Sequence, residues 1–207
     1  HQDHATTRHA LTRYATGMNS VRLAQPADAP ALAAIYAQSM EAPTTFELVA
    51  PTPREMAERV AKVLKVMPWL VLERAGRVAG YAYACPHRER AAYRWSVDTS
   101  VYIDAAHARS GAGRTLYGVL FKLLRLQGYY VAHAGITLPN PGSVALHESF
   151  GFEPVGIYHD VGFKLGAFHR VGWWRLALRE ARGEPAEPRT PDELQSDPAW
   201  QAAFVVP

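Results

Sequence analysis

The stretch Ala108–Arg114 combines two glycines with two arginines. It follows the apolar run Val101–Ile103 and precedes leucines at helical spacing, which predicts a strand, a tight turn and a helix. Backbone N–H groups at the start of a helix, together with the helix dipole, favour a bound anion. Gly111 and Gly113 carry no side chain that would keep a phosphate away. The stretch predicts a phosphate-binding loop; a surface turn with glycines for geometry alone is the alternative.

Two familiar phosphate loops do not fit this spacing. A Walker loop needs Lys followed by Ser or Thr after its second glycine, whereas this chain has Arg114 and Thr115. A dinucleotide-binding fingerprint needs a third glycine three positions after Gly113, where the chain has Leu116. The loop therefore indicates a phosphorylated ligand of another kind.

Composition limits the class of protein. The chain has 207 residues, of which 48% are hydrophobic, enough for one ordinary domain with a real core. The net charge is +3 without any run of five basic residues, so no nucleic-acid partner is indicated. A single cysteine, Cys85, allows no internal disulfide and favours a cytoplasmic location. No apolar stretch nears the length of a membrane span, so no membrane partner is expected.

The two ends differ in composition from the middle. Residues 1–19 read as an N-terminal arm or an expression remnant, with Met18 as a candidate natural start. Residues 20–180 form the predicted domain. Residues 181–207 are rich in Pro and Glu and predict an extended tail, anchored by Trp200 or Phe204.

Between the ends, short strand patterns alternate with helical ones. The predicted helices begin near residues 26 and 53 and span 112–126 and 143–150; the predicted strands are 21–23, 69–73, 78–83, 96–103, 131–137, 155–165 and 170–178. This order predicts an α/β (α+β) fold with a mixed central sheet, helices on both faces, and a parallel unit within residues 100–137.

Several motifs coincide with one known family. They are the phosphate loop, Asn140 with Leu146-His147-Glu148, and the run His169–Trp174. With these motifs the chain, from about residue 20 to 178, resembles the GCN5-related N-acetyltransferases (GNATs), and among them phosphinothricin acetyltransferases and amino-acid N-acyltransferases. One departure is Ala108, where the family usually has Gln or Arg; Arg109 is the candidate substitute.

The resemblance implies a GNAT fold whose sheet splays between its fourth and fifth strands, with acetyl-CoA bound in the split. Backbone groups of Val101 and Ile103 would hold the pantetheine arm, and the N–H groups of 109–114 the pyrophosphate. The resemblance also implies a homodimer. The implied cofactor-binding residues are Val101, Tyr102, Ile103, Arg109, Ser110, Gly111, Ala112, Gly113, Arg114 and Asn140.

The implied reaction is direct acetyl transfer to an amine, which must be neutral to attack. Asp98 is the candidate general base, where relatives usually carry Glu; the shorter side chain favours relay through water. The alternative is a strand-edge carboxylate satisfied by its neighbours. His147 is the candidate acid or base, where many acetyltransferases carry Tyr. The alternative is a structural histidine bonded to a carbonyl.

The acceptor is expected near the segment Pro86–Trp95 and the turn at 98–100. Arginine side chains there could grip a carboxylate or phosphinate. We therefore expect a small amino acid or analogue, such as phosphinothricin, methionine sulfoximine or methionine sulfone. One alternative is an acetyltransferase for another amine, such as a polyamine, an aminoglycoside or a protein N-terminus. The other is a non-catalytic CoA-binding module. The candidate substrate contacts are Phe46, Arg88, Arg90, Tyr93, Asp98, Thr99 and Ser100.

Two further side-chain types are interpreted as structural. Cys85 lies in a strand pattern without an adjacent His/Asp pair, so a buried thiol is favoured over a nucleophile. The histidines His107, His133, His159 and His169 lack metal-ligand spacing, so no metal is expected.

Overall fold

The computed structural model describes residues 19–206, so the predicted N-terminal arm lies, apart from Asn19, outside the described residues. Seven strands of this described part form one sheet, in which the strands follow chain order from one edge except that the seventh lies between the fifth and the sixth. The strands are β1 (Ser20–Leu23), β2 (Trp69–Arg74), β3 (Arg77–Pro86), β4 (Ser96–Ile103), β5 (Val131–Leu138), β6 (Glu153–Lys164) and β7 (Ala167–Ala177).

The helices follow the predicted order along the chain. A capping box between Thr52 and Glu55 starts the second helix, and Gly128, in a left-handed conformation, ends the third. The fourth helix begins at Pro141, two residues earlier than predicted, because Asn140 caps it. The helices are α1 (Ala29–Ala37), α2 (Pro53–Leu64), α3 (Ala112–Gln127), α4 (Pro141–Glu148), α5 (Pro191–Leu194) and α6 (Pro198–Ala203).

One junction in the sheet differs from the others. β4 and β5 are the parallel pair, and they are joined only where Ser96–Asp98 faces Val131–His133. Beyond that point β4 continues to Ile103 paired with β3, and no other strand of residues 19–206 pairs with its second edge. The two strands therefore separate in the way the predicted splay requires.

The sheet is covered on both faces, which confirms the predicted architecture. Side chains alternate between faces along each strand. One face packs against α3, around Leu116, Leu120 and Leu124. The opposite face packs against α1 and α2, around Leu32 and Met56.

The C-terminal segment is not the extended tail that its composition predicts. It forms α5 and α6, and Leu194 and Trp200 are buried in the core beside α3. Trp200 is thus the predicted anchor, whereas Phe204 is only partly buried. The apolar residues are too sparse here to show helical periodicity, but they are enough to fix two short helices on a neighbouring surface. Within residues 19–206, no helix has the length and apolarity that a membrane span requires.

Candidate active site

A cleft of about 750 Å³ opens where β4 and β5 separate. Its walls are the second half of β4, the loop before α3, the first turns of α3, the end of β5, and α4. All the predicted cofactor-binding residues except Ser110 line this one cleft. Residues far apart in sequence thus meet at the splay.

The phosphate loop ends at the N-terminus of α3. The first bond inside the helix is donated by the N–H of Thr115 to the carbonyl of Gly111, at 3.0 Å. The N–H groups of Ala112, Gly113 and Arg114 precede that bond and have no partner within the helix. These donors, with the positive end of the helix dipole, lie at the mouth of the cleft.

The two loop positions Gly111 and Gly113 require glycine for different structural reasons. Gly111 has a φ of +81°, a left-handed conformation that β-branched residues avoid. At Gly113 an added Cβ would lie 3.1 Å from a methyl of Leu146. Gly113 therefore lets α4 approach α3, and this approach brings His147 to the cleft.

Ser110 departs from the expectation for a cofactor-binding side chain. Its hydroxyl donates to the carbonyl of His107 and accepts a hydrogen bond from the guanidinium of Arg74. The side chain is thus committed to holding the loop, and only the main chain of Ser110 is left to meet a ligand. The neighbouring Arg109 has a φ of 56°, unusual for a residue other than glycine.

Asn140 lies across the cleft from the loop. Its side-chain oxygen accepts a hydrogen bond from the N–H of Ser143 at 3.1 Å and so caps α4. Because the oxygen is used by the cap, the amide NH₂ is the group left to donate into the cleft. One residue thus both starts α4 and lines the predicted cofactor site.

His147 is almost fully buried, and both of its ring nitrogens have partners. Nδ1 donates to the carbonyl of Ser143 at 2.7 Å, which leaves Nε2 to accept from the hydroxyl of Tyr117 at 3.1 Å. Burial lowers the pKa of His147, and burial also raises the pKa of Tyr117. His147 is therefore a neutral acceptor joined to a neutral phenol, both on the cleft wall. The sequence analysis gave Tyr117 no catalytic or binding role, although this residue follows the loop on α3.

Asp98 lies on the opposite face of β4, in the row that joins Cys85 of β3 to His133 of β5. Burial raises the pKa of its carboxyl group, while a hydrogen bond from His87 opposes the rise. Nδ1 of His87 lies 2.6 Å from Oδ1 of Asp98. The ring of His87 stacks on that of His133, with centroids 4.0 Å apart. This cluster was not expected, because sequence spacing gives no sign of it.

The predicted acceptor residues do not all share one surface. Thr99 is largely buried on the α3 face, where it lines the cleft, and its hydroxyl donates to the carbonyl of His133 at 3.3 Å. Ser100 lines the cleft, and Phe46 packs against Gly162 of β6.

The predicted loop residues are solvent-exposed. Arg88 lies over the ring of Trp173, 5.8 Å from its centroid, and Tyr93 meets the ring of His87 edge-on. Arg90 starts the turn Ala91–Tyr93 and has no ion pair among residues 19–206. Arg94 is paired with Glu187 instead, so it faces the C-terminal segment.

Cys85 behaves as the predicted structural thiol. Burial, with the nearby Asp98 carboxylate, raises its pKa to about 11. A thiol with that pKa is protonated near neutral pH and is a poor nucleophile.

Comparison with known proteins agrees with this geometry. The family model described as an acetyltransferase (GNAT) domain matches residues 21–169. The chain is 40% identical to phosphinothricin N-acetyltransferase from Streptomyces viridochromogenes, over 82% of this chain and 91% of the relative. It is 33% identical to the L-methionine sulfoximine/L-methionine sulfone acetyltransferase from Salmonella typhimurium, over 78% of this chain and 95% of the relative.

A solved structure shares the fold. The phosphinothricin acetyltransferase from Sinorhizobium meliloti, in complex with acetyl-CoA, superposes with a TM-score of 0.79 at 32% identity, covering 84% of this chain and 96% of that one. The chain therefore belongs to the GNAT acetyltransferase family. Acetyl-CoA is the acetyl donor of an N-acetyltransferase of this kind, and the predicted fold, family and enzyme class are confirmed.

Proposed function

We propose that the protein transfers the acetyl group of acetyl-CoA to the α-amine of a small anionic amino acid or analogue, of the phosphinothricin or methionine sulfoximine/sulfone type. The observation that carries this proposal is the cleft at the β4–β5 splay, whose walls offer hydrogen-bond donors to the cofactor. A titratable cluster, His87, Asp98 and His133, lies on the opposite face of the sheet. The similarity to phosphinothricin and methionine sulfone acetyltransferases supports the acceptor class.

The cleft suits the donor on three counts. The free N–H groups at the start of α3 and the side chains of Arg109 and Arg114 suit a pyrophosphate. The free edge of β4, from Val101 to Ile103, offers backbone groups to an amide-bearing arm. Asn140 adds a side-chain amide from the β5 side. We assign these residues to acetyl-CoA binding.

We assign His147 and Tyr117 to the departing thiol. Tyr117, whose hydroxyl donates to Nε2 of His147, gives its proton to the departing thiolate, and the second proton that the amine nitrogen loses on forming the amide restores the neutral phenol. Asp98, on the opposite face, serves the amine. Donor and acceptor thus approach the reacting carbonyl from the two faces of the splayed sheet.

The acceptor is assigned to the side of Asp98, Arg88 and Arg90. Neither arginine forms an ion pair within residues 19–206, so both positive charges are available for an anionic head group. The only carboxylate of the 86–95 segment is Glu89, which leaves little to bind a polycation.

We also propose a homodimer in the cytoplasm. The hairpin of β6 and β7 forms the edge of the sheet and exposes a set of large apolar side chains, which an edge strand rarely leaves bare. Light scattering should give twice the chain mass, and Phe163→Glu should reduce it; a wild-type monomer would contradict the dimer. The exposed apolar residues are Val155, Ile157, Tyr158, Val161, Phe163, Leu165 and Phe168.

The proposed activity is tested by thiol release from acetyl-CoA with a panel of amines. L-phosphinothricin, methionine sulfoximine and methionine sulfone should release thiol, and mass spectrometry should find one added acetyl group on each product. Spermidine is the matched cationic acceptor and should be a poor substrate. A preference for spermidine would refute the acceptor class, and no release with any amine would refute catalysis.

A further inference from the structure

The cluster on the acceptor face contains a residue, His87, to which the proposed function gives no role. His87 directly follows the end of β3, and its Nδ1 lies 2.6 Å from Oδ1 of Asp98. We propose that His87 is the base that takes the proton from the acceptor's ammonium group, and that Asp98 is the carboxylate that orients it. This proposal rests on the proposed function and adds a catalytic residue to it.

The hydrogen bond sets the tautomer of His87. A carboxylate can only accept, so the proton on the His87 ring lies on Nδ1, and Nε2 keeps its lone pair. Within residues 19–206, Nε2 makes no hydrogen bond, and it is not among the polar atoms sealed from solvent. His87 therefore presents a free, reachable base, which is the arrangement of a histidine held by a carboxylate in other hydrolytic and transfer enzymes.

Asp98 is less suited to meet the amine directly. Its side chain is one methylene shorter than that of a glutamate, and one of its oxygens is occupied by His87. The imidazole ring extends the basic atom beyond the carboxylate by the width of the ring. The pair thus restores the reach that the shorter side chain loses.

The ring of His87 is held on several sides. It stacks on His133 with planes 17° apart, and the rings of Tyr93 and Trp173 meet it edge-on at 6.2 and 6.1 Å. Burial, with the neighbouring His87, lowers the pKa of His133 to about 4, so this ring is neutral near pH 7. A neutral flat ring fixes the orientation of His87 without repelling the imidazolium ion that forms.

The same stack argues against a metal held by the two histidines. Ligand atoms of His87, Asp98 and His133 lie within 4.8 Å of one another, close enough to be considered as a metal site. A metal lies in the plane of each imidazole that binds it, along the nitrogen lone pair. Two nearly parallel rings stacked at 4.0 Å direct their lone pairs into separate planes. The geometry favours proton transfer.

The proposed step balances as follows. The ammonium group gives one proton to Nε2 of His87, and the resulting imidazolium is stabilised by the Asp98 carboxylate. The free amine lone pair then forms the bond to the acetyl carbon, and the bond between that carbon and sulfur breaks. The second proton lost by nitrogen ends on the thiol, and the first leaves His87 for solvent.

Charged and titratable groups surround the pair from several elements. β3 contributes Cys85, β5 contributes His133, β7 contributes Arg175, and the segment after β3 contributes Arg88. The charges of the two arginines act on Asp98 or His133. The pH dependence of kcat therefore reports on the His87–Asp98 pair only when the wild type is compared with variants of the pair.

The decisive variants are His87→Gln and Asp98→Asn, with His159→Gln as the control on the exposed surface of β6. His87→Gln should lower kcat by about 100-fold or more, because a lost general base typically costs that much. Acetyl-CoA affinity measured by calorimetry should stay within about twofold. Added imidazole should partly restore the rate of His87→Ala, in proportion to the neutral imidazole present.

A second measurement does not depend on activity. Long-range ¹H–¹⁵N spectra of the histidine-labelled, ligand-free protein should show the Nδ1–H tautomer for two rings, His87 and His147. His87→Gln should remove one of these two signals, and Asp98→Asn should shift the same signal toward Nε2–H while the His147 signal stays. A His87→Gln enzyme that retains its rate, an Nε2–H tautomer assigned to His87 in the wild type, or activity that needs added Zn²⁺ would each overturn the proposal. A wild-type protein that is inactive on all amines would instead contradict the proposed function. The spectra would still test whether Asp98 holds His87 in the Nδ1–H tautomer.

Discussion

The two faces of the splayed sheet are built on different principles. On the α3 face, the cofactor cleft is made mainly of backbone: a helix N-terminus, a free strand edge and two glycines. On the opposite face, the acceptor region is made of side chains: His87, Asp98 and His133. Backbone geometry depends on local sequence, whereas a side-chain cluster depends on strand register. The first face can therefore be predicted from a few local sequence motifs, whereas the second cannot.

The contrast also concerns charge. On the α3 face His147 is neutral, with Nδ1 and Nε2 both engaged, so it is poised to pass a proton rather than to hold one. On the acceptor face a carboxylate is paired with a histidine whose Nε2 is free. A base for the amine and an acid for the thiol are thus kept on opposite sides of the sheet, and neither neutralises the other.

The largest expected effect is the loss of kcat when Asp98 on the acceptor face is replaced, while acetyl-CoA binding on the other face should be left intact. Asp98→Ala removes the carboxylate on the acceptor face and should lower kcat by about two to four orders of magnitude. Acetyl-CoA binding uses the other face, so its Kd from calorimetry should hardly change. Steady-state kinetics with a saturating amine provide the kcat. Equal turnover in the variant would remove Asp98 from the chemistry, and a parallel loss of acetyl-CoA binding would mean that the faces are not independent.

A smaller effect, on acetyl-CoA binding and not on the acceptor face, is expected from a substitution at Gly111. A valine there must adopt a φ of +81°, which costs about 1–2 kcal/mol, and it places methyl groups at the mouth of the cleft. Gly111→Val should weaken acetyl-CoA binding by about tenfold or more while the acceptor face stays intact. Gly118→Ala is the matched control, since it lies on the same helix with open space for a Cβ. Unchanged affinity in Gly111→Val would refute the loop assignment.

Most of the fold could be predicted from the sequence because local start and stop signals mark its helices and strands. α3 runs from Ala112 to Gln127, within one residue of the prediction, since a glycine turn starts it and Gly128 ends it. The hairpin of β2 and β3 follows equally from Ala75 and Gly76. What could not be read was the C-terminal segment, where Leu194 and Trp200 are buried by contacts with a surface that only the folded domain provides.

The candidate site divides in the same way. The cofactor cleft follows from Gly111, Gly113 and Asn140, which lie in recognisable motifs. His87 lies on the exit of one strand and His133 on another, and only the pairing of Asp98 with Cys85 and His133 brings them together. No spacing rule connects residues that meet through sheet register, so a prediction from spacing alone missed the cluster and treated His133 as isolated.

The smallest expected effect concerns stability and pH on the acceptor face. The pKa of His133 is lowered to about 4 in the folded protein, against 6.5 for an ordinary histidine. Between those values the unfolded chain binds more protons than the folded one, so the free energy of unfolding falls as the pH drops from about 6.5 toward 4.

His133→Leu removes this group and its buried Nδ1, which has no partner among residues 19–206. Thermal melts at pH 7.5 and 5 should therefore show a smaller drop in Tm for His133→Leu than for the wild type. His147 and Asp98 also titrate, but they are common to both proteins and cancel in the difference. An equal drop in the two would mean that His133 is not held neutral by its surroundings, and the stack on His87 would then lose its role in fixing the base.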